Sequence, residues 1–296
     1  MDPVRPALPA RAPDPSRLAV GVVGAGRVGA VLGAALARAG HHVVAASGVS
    51  DASVARAARL LPGVPLRPAD EVAAAADLLL LAVPDDALPG LVAGLAATGA
   101  VRPGTLLVHP SGRHGLAVLE PATRLGALPL ALHPVLPFTG TEVDLARLTG
   151  ASFGVTAPDV LRPVGEALVL EMGGEPVWVA EHLRPLWHAA LAHGANHLVT
   201  LVASAADLLR AAGAQDPGAV LAPLLGAALD GALRGGDAAL TGPVSRGDAG
   251  TVAAHLAVLP DDVRPAYAAL ARLTADRALA SGRLRADQAA GLLEVL

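Results

Sequence analysis

The chain of 296 residues contains no cysteine and no lysine. Without cysteine it can form no disulfide framework, no cysteine-based metal site and no thiol nucleophile. All 22 basic residues are arginine, which excludes a Schiff-base lysine and a lysine proton donor. Any proton donor must therefore come from histidine, serine, tyrosine or a carboxylic acid.

Long apolar runs are also missing, since none approaches the ~18 residues that span a bilayer. Residues 1–17, rich in proline and arginine, lack the apolar segment of a signal peptide, and we expect a disordered tail there. A net charge of −4 argues against a nucleic-acid footprint. We therefore expect a soluble, cytoplasmic protein that associates with neither membranes nor nucleic acids.

The remaining sequence divides into two parts with different residue patterns. Residues 18–180 alternate short apolar strands with helical segments, which predicts a doubly wound, Rossmann-type parallel sheet of the α/β class. Residues 181–296 carry helical periodicity only, which predicts an all-helical second domain for substrate binding and dimerisation. Several of its helices are apolar on more than one face, which indicates a dimer interface or a heavily covered core, and we expect a homodimer.

The first predicted strand runs into a glycine motif of the form G-x-G-x-x-G. Its glycines are Gly24, Gly26 and Gly29, and a strand precedes them while a helix follows. In that context the motif is typical of dinucleotide binding, with the pyrophosphate at the helix N-terminus. The predicted cofactor segment is Gly24, Ala25, Gly26, Arg27, Val28 and Gly29.

The end of the second strand favours NADP over NAD. NAD enzymes usually place a carboxylate there, whereas this chain has Ser47 and Ser50, with Arg27 as the nearest candidate cation and Arg56 as a second choice. Asp51 is interpreted as a helix cap. The loop AVPDD, which contains Val83 and Pro84, is expected by analogy to form a wall of the cofactor site.

Polar residues follow two further strands, at the edge of a parallel sheet where ligands bind. The segment HPSG places Ser111 there, and HPVLPF places His133. Both are candidate catalytic groups, because a carbonyl reductase needs a group that supplies a proton. His109 and His114 are interpreted as structural or exposed.

A long predicted helix carries a polar stripe on an otherwise apolar background. On a regular helix, His193, Asn196, Thr200, Ser204 and Asp207 fall within an arc of about 80°. Asn196 and His193 could hold a carbonyl oxygen and donate a proton, although a solvent face or a dimer seam fits the stripe equally well. His188 lies away from this arc.

The stretch LTGPVSRGD interrupts the helices with a glycine- and proline-containing turn. Asp248 is expected to cap the next helix, and Arg246 to stand beside free backbone N–H groups as an anion site. The predicted substrate-binding residues are Arg246, Thr241 and Asp248. Arg246 is expected to hold a substrate carboxylate or a cofactor phosphate, with a purely structural turn as the alternative.

Three segments carry a resemblance to a known family: SGRHGLAVLEPATRLGALPLALHPVLPF, WHAALAHGANHLVTL and LTGPVSRGDAGTVAAHL. The chain resembles Rossmann-like NADP-binding proteins whose second half is the domain of unknown function 2520. Their wider relatives are 6-phosphogluconate dehydrogenase-like and ketopantoate reductase-like enzymes, many of which use a lysine. This chain has His193 near that lysine's place.

The resemblance implies an NADPH-dependent oxidoreductase of a small 2-oxo acid, with reduction of ketopantoate (2-dehydropantoate) to pantoate, a step of pantothenate biosynthesis, preferred. An imine or pyrroline carboxylate reductase, or a deazaflavin-dependent NADP reductase, is the alternative. A non-catalytic NADP-binding protein is a third possibility.

Overall fold

The structure is a computed structural model that describes residues 17–296. The predicted tail therefore lies outside the described residues, apart from Arg17. The internal contacts divide the chain into two compact units, which meet in sequence between Gly194 and Ala195. The sequence placed this boundary at residues 180/181.

Seven strands form one sheet in the first unit, in the order β2-β1-β3-β4-β5-β6-β7. The short apolar runs that predicted β1 to β6 are largely buried, as the strands of a covered parallel sheet are, whereas the edge strand β7 is mostly exposed. The strands are β1 (Ala19–Val23), β2 (His42–Ser47), β3 (Leu78–Leu81), β4 (Leu106–His109), β5 (Leu128–Pro134), β6 (Ser152–Thr156) and β7 (Glu175–Trp178).

The sheet is parallel from β2 to β5, but β6 pairs antiparallel with β5 and β7 follows the direction of β6. The expected parallel sheet is confirmed for β1 to β5, and only the last two strands run in the opposite direction. Residues 135–151 lead from the end of β5 to the start of β6 at the same edge, so no crossover to the opposite edge is needed. An antiparallel edge of this kind is common on doubly wound sheets.

Helices cover both faces of the sheet and form two separate apolar cores with it. One core contains Val31 and Leu32 of the first helix, and the other contains Val72 and Leu88. The helices of this unit are α1 (Arg27–Arg38), α2 (Asp51–Leu60), α3 (Ala69–Ala75), α4 (Leu88–Ala97), α5 (Glu120–Thr123), α6 (Glu142–Arg147), α7 (Arg162–Glu171) and α8 (Arg184–Leu191).

The second unit contains helices without strands in the residues described. Its small core joins Val244 and Val252 to Ala275 and Leu292. The helices are α9 (His197–Ala211), α10 (Pro217–Gly235), α11 (Pro243–Arg246), α12 (Ala249–Val258), α13 (Arg264–Ala280) and α14 (Ala286–Val295). The predicted architecture, a Rossmann-type sheet followed by a helical domain, is confirmed.

The predicted long helix is not regular. A π-helical turn, Ala192–Asn196, lies between α8 and α9. A π turn holds more residues than an α turn, so the angular spacing that placed His193 and Asn196 on one arc with Thr200 does not apply across it. The stripe holds only for Thr200, Ser204 and Asp207, which lie within α9.

Two predicted helix caps have different outcomes. Ser50, not Asp51, caps α2: its side chain accepts a hydrogen bond from the backbone N–H of Ser53, and Ser53 bonds back in a capping box. The hydroxyl of Ser50 reaches this N–H, whereas Asp51 is already the first residue of the helix. Asp248 caps α12 as expected, by accepting from the N–H of Thr251 at 3.0 Å.

None of the helices in residues 17–296 has both the length and the hydropathy that crossing a membrane requires.

Two helical glycines give a matched test of the packing between α1 and the turn that precedes it. A Cβ added at Gly29 would lie 2.1 Å from the carbonyl oxygen of Gly24, whereas one added at Gly90 of α4 would meet nothing. We expect Gly29→Ala to lower the free energy of unfolding by about 2–3 kcal/mol through this clash. Gly90→Ala should raise it by up to about 1 kcal/mol through helix propensity.

Urea unfolding followed by circular dichroism measures both changes. Equal effects of the two substitutions would contradict the close approach at Gly29.

Candidate functional site

The glycine motif forms the turn between β1 and α1. Gly24 has φ +95°, a left-handed conformation that favours glycine, and a Cβ there would lie 2.5 Å from the carbonyl oxygen of Ala82. Gly24 and Gly29 thus let the turn pack closely on the strand and on the residue that follows β3. At Gly26 the nearest atom to an added Cβ is 4.0 Å away, so its backbone faces open space.

The N-terminus of α1 is available for an anion. Gly26 occupies the N-cap position, and no side chain caps the helix. The first N–H groups of a helix need a partner and carry the positive end of its dipole. An open glycine backbone beside an uncapped helix N-terminus fits the pyrophosphate of a dinucleotide.

Ser47 supports this turn from the end of β2. Its hydroxyl accepts a hydrogen bond from the N–H of Gly24 at 3.1 Å, and its carbonyl accepts one from the N–H of Ala25 at 2.7 Å. The Ser47 hydroxyl proton is left for another acceptor. Ser50, the second predicted hydroxyl, is committed to the cap of α2.

Three arginines surround the loop at Gly140, which has φ +78°. A Cβ at Gly140 would lie 2.5 Å from Nε of Arg56 and 2.9 Å from Cγ of Arg27, so both side chains pass over this glycine. Arg59 donates a hydrogen bond to the carbonyl oxygen of Gly140 at 2.6 Å and pairs with Glu142.

Within the described residues, Arg27 and Arg56 form no ion pair and no side-chain hydrogen bond. The sequence ranked Arg56 second as the cation for a 2′-phosphate; the structure brings it beside Arg27. Arg59, which the sequence analysis did not name, belongs to the same cluster. The α2 spacing of Arg56 and Arg59, three residues apart on one helix face, is the signal that could have found it.

The loop after β3 lies against the glycine turn. Cγ1 of Val83 would be 3.2 Å from a Cβ at Gly24. Pro84 is exposed, and its carbonyl accepts the N–H of Ala87 at 2.9 Å at the start of α4. Val83 therefore packs against the glycine turn, and its role in a cofactor wall stays a prediction.

A second group of polar residues lies at the carboxyl edge of β4 and β5. Ser111 is buried; its hydroxyl accepts the N–H of His114 at 3.0 Å, and its own N–H donates to Nδ1 of His109. His109 is fully buried, and its Nε2 donates to the carbonyl of Gly115 at 2.9 Å. Burial lowers the pKa of His109 to about 4. Its contacts match the structural role that the sequence suggested.

Arg184 at the start of α8 is completely buried behind this loop. It donates to the carbonyl of Ser111 at 2.5 Å, to the hydroxyl of Thr156 at 2.9 Å and to the carbonyl of Gly154 at 3.4 Å. Burial lowers its pKa to about 10. This guanidinium connects the end of β4 to β6, and no sequence feature distinguishes Arg184 among the 22 basic residues.

His133, near the end of β5, is half-buried beside this cluster. Its Nδ1 accepts a hydrogen bond from the indole N–H of Trp187 at 3.1 Å. The ring of His188 packs edge-on against it, with centroids 6.0 Å apart. Burial, Arg184 and His188 together lower the pKa of His133 to about 4. The sequence analysis placed His188 outside the polar stripe of the predicted helix. In the structure, His188 lies on α8 in contact with His133.

The second unit contains an open cavity of about 1070 Å³. Thr200, Ser204 and Asp207 of the predicted stripe line it, together with Thr241. It also contains a histidine–tyrosine pair that the sequence analysis missed: His255 and Tyr267, with Nδ1 and the phenol oxygen 2.8 Å apart. Tyr267, the chain's one tyrosine, has a pKa raised by burial.

The remaining predicted site residues lie elsewhere. His193 falls in the first unit and Asn196 in the second, both exposed in the π-helical turn. Arg246 is exposed at the end of α11. Asn196, Arg246 and Asp248 are not among the residues that line the cavity.

The expected free N–H groups beside Arg246 are largely satisfied. The N–H of Asp248 donates to the carbonyl of Pro243, and the N–H of Ala249 donates to the carbonyl of Gly247. The side chain of Asp248 accepts a hydrogen bond from the N–H of Thr251. The backbone anion site expected at this turn is therefore wrong, because the tight turn and its own cap consume the donors. The charge of Arg246 is all that is left for an anion.

Two family models match the chain. A Rossmann-like domain covers residues 8–134, and the domain of unknown function DUF2520 covers residues 151–274. The chain therefore belongs to the proteins that join a Rossmann-like domain to a DUF2520 domain, as its sequence motifs indicated. No curated protein matches it.

Solved structures share the fold at low sequence identity. A candidate NADP oxidoreductase from Bacteroides fragilis is 23% identical with a TM-score of 0.75, covering 88% of this chain and 98% of its own. A Thermotoga maritima protein is 17% identical with a TM-score of 0.65, covering 89% and 99%. Plasmodium falciparum pyrroline carboxylate reductase, solved with NADP bound, is 12% identical with a TM-score of 0.57, covering 88% and 98%.

The buried histidine His109 makes stability depend on pH. Its pKa is about 4 in the folded protein against 6.5 for an ordinary histidine, so the unfolded chain binds the extra proton between these values. Stability from this group is complete above pH 6.5 and is lost as the pH falls towards 4. We expect it to contribute up to about 3 kcal/mol to that loss.

Urea unfolding at pH 7.5, 5.5 and 4.5 tests this expectation. The free energy of unfolding of His109→Gln should fall less steeply towards acid than that of the unsubstituted protein. His42→Gln, at an exposed histidine, is the control and should keep the original slope. Parallel slopes for the protein and His109→Gln would contradict the assignment.

Proposed function

We propose that the protein is an NADPH-dependent oxidoreductase. The observation that carries the proposal is the glycine turn with its backbone open at Gly26, together with the unpaired arginines Arg27 and Arg56. The turn offers N–H groups to a pyrophosphate, and the arginines offer charge to a 2′-phosphate. Fold likeness to an NADP-bound reductase supports the same cofactor.

Within this proposal the cofactor supplies reducing equivalents to a carbonyl or imine, and the protein supplies binding and orientation. Gly24 to Gly29 hold the pyrophosphate, Arg27 and Arg56 the 2′-phosphate, and Ser47 offers a hydroxyl proton. Val83 forms part of the wall. The carboxyl edge of β4 and β5, with Ser111 and His133, is the part of this sheet where ligands of open α/β sheets bind.

Two arginines of one helix provide a matched test of cofactor choice. Arg27 begins α1 and Arg38 ends it, about 16 Å apart along the axis. We expect Arg27→Ala, and likewise Arg56→Ala, to weaken NADPH binding about tenfold and leave NADH binding nearly unchanged, through loss of a charged hydrogen bond to the 2′-phosphate. Arg38→Ala should bind both cofactors as the unsubstituted protein does.

Isothermal titration calorimetry with NADPH and NADH measures these affinities. An equal loss for both cofactors in Arg27→Ala and Arg56→Ala would place the arginines outside the 2′-phosphate site.

We propose a small 2-oxo acid as the substrate, ketopantoate preferred, with Arg246 as the candidate for its carboxylate. The substrate class is supported by the family resemblance, and the residue by its unpaired positive charge in the described part of the chain. Thr241 and Asp248 accompany Arg246 in the same segment. His193 and Asn196 stay candidates for the proton donor and for a carbonyl contact, because both are exposed in the π-helical turn.

Mixing the protein with NADPH and ketopantoate should oxidise the cofactor, seen as falling absorbance at the nicotinamide band. Arg246→Ala should raise KM about tenfold through loss of a charge-assisted hydrogen bond to the carboxylate. Arg283→Ala, at another exposed arginine of the same unit, is the control. Turnover of a cyclic imine acid but of no 2-oxo acid would favour the pyrroline carboxylate alternative.

Tight NADPH binding without turnover of any 2-oxo acid or imine would favour a non-catalytic binding protein. A deazaflavin substrate belongs in the same panel.

We propose that the protein forms a homodimer through α9 and α10. No residue of α9 is buried, and α10 buries only Pro217 and Leu221. Large apolar side chains stay exposed on both helices, including Val199 at 70% and Leu233 at 79%. A second copy presents the same apolar faces, so a twofold contact covers both at once. Light scattering at micromolar concentration should give twice the 29.3 kDa chain mass.

A further inference from the structure

Trp187 determines which nitrogen of His133 carries the proton. The indole N–H of Trp187 can only donate, and it donates to Nδ1 of His133 at 3.1 Å. Nδ1 is therefore unprotonated in this arrangement. In the neutral ring the proton must lie on Nε2, which makes Nε2 a hydrogen-bond donor.

Two glycines make room for this pair. A Cβ at Gly154 of β6 would lie 2.8 Å from the indole nitrogen of Trp187. A Cβ at Gly112 would lie 2.8 Å from Nε2 of His133 and 2.7 Å from Cδ2 of His188. Any larger residue at either position would displace the rings. The tryptophan and the histidine are thus held between close backbone contacts, with His188 edge-on to His133.

The second ring nitrogen of His133, Nε2, has no hydrogen-bond partner in the described residues. In residues 17–296 no protein atom accepts a hydrogen bond from Nε2, and the one fully buried side-chain polar atom there without a partner is Nε of Arg184. Nε2 therefore keeps contact with solvent. A rigid N–H that no protein atom accepts, at the edge of a sheet where ligands bind, is suited to an oxygen of a bound molecule.

The charged groups around His133 keep its ring neutral. Arg184 and His188, both on α8, disfavour a second proton, and the carboxylate of Asp85 in the loop after β3 favours it. Burial and the two α8 groups outweigh Asp85, and the pKa falls to about 4. At neutral pH the ring of His133 is therefore uncharged. It donates a hydrogen bond through Nε2 but does not give up a proton.

We propose that Trp187 is a positioning residue that locks His133 as a neutral hydrogen-bond donor through Nε2, directed at the oxygen of the carbonyl to be reduced. This inference rests on the proposed reductase function. His133 then polarises the carbonyl, and no proton leaves its ring during the reaction. The proton that completes the alcohol comes from water or from another side chain. This role differs from the sequence-based prediction, in which His133 was a candidate proton donor.

Nuclear magnetic resonance of ¹⁵N-histidine-labelled protein tests the lock without any substrate. The signals of His133 are assigned by their loss in His133→Gln. Between pH 8 and pH 5, long-range ¹H–¹⁵N spectra should show an unprotonated Nδ1 and a protonated Nε2 that do not change. A protonated Nδ1, or an imidazolium at pH 7, in the unsubstituted protein overturns the inference.

The chain's two tryptophans give a matched pair of variants. Trp187→Phe removes the donor, so His133 should show both neutral tautomers. Trp178→Phe is the control: Trp178 lies on β7 and stacks under Arg162, with 4.1 Å between the guanidinium carbon and the ring centroid. His133 should be unchanged in that variant. A single Nε2–H tautomer that persists in Trp187→Phe would also overturn the assigned role.

Steady-state kinetics then separates the lock from the proposed activity. In Trp187→Phe we expect kcat to fall about tenfold, the effect of one misplaced hydrogen bond, with KM nearly unchanged. The unsubstituted protein and Trp178→Phe should share a kcat that does not titrate with His133 between pH 5.5 and 8. An unchanged kcat in Trp187→Phe would overturn the catalytic part of the inference. If the spectra are as expected but no carbonyl substrate is turned over, the result contradicts the reductase function and leaves the role of Trp187 in fixing the tautomer intact.

Discussion

The candidate site depends on the close packing of the glycine turn, between β1 and α1, against the residue that follows β3. Gly24 and Gly29 contact backbone atoms so closely that no side chain fits, and this contact fixes where α1 begins. The uncapped N-terminus of α1 and the open backbone of Gly26 follow from that position. An anion is the chemical partner that such a turn lacks.

The proposed preference for NADP depends on charge. The end of β2 carries Ser47 where a carboxylate would select against a 2′-phosphate, and Arg27 and Arg56 pass over Gly140 nearby. Asp144 organises that loop by accepting hydrogen bonds from the backbone of Thr139 and Gly140. The arginines therefore stand over an ordered loop, with their charges unpaired within the described residues.

The sequence predicted the parts of the fold that local patterns determine. Short buried strands, the glycine motif and the helical second half follow from periodicity and turn residues, and the structure has them. The reversal of β6 was missed because strand direction depends on which edge a connection returns to. The π-helical turn was missed because the arc assumed a regular helix, which displaced His193 and Asn196 from the rest of the stripe.

The missed site residues have a similar explanation. Arg184 is one arginine among many, and only tertiary structure shows that it is fully buried behind Ser111. Trp187 and His188 contact His133 of β5, and no spacing on their own helix reveals these contacts. The sequence could place Ser111 and His133 at one edge of the sheet, because the carboxyl ends of parallel strands meet there.

A crystal structure of the protein grown with NADP tests the central claim most directly. The account predicts the pyrophosphate over Gly26 at the N-terminus of α1, and the 2′-phosphate within hydrogen-bond distance of Arg27 or Arg56. A dinucleotide bound away from the glycine turn, or a 2′-phosphate that neither arginine contacts, would contradict it.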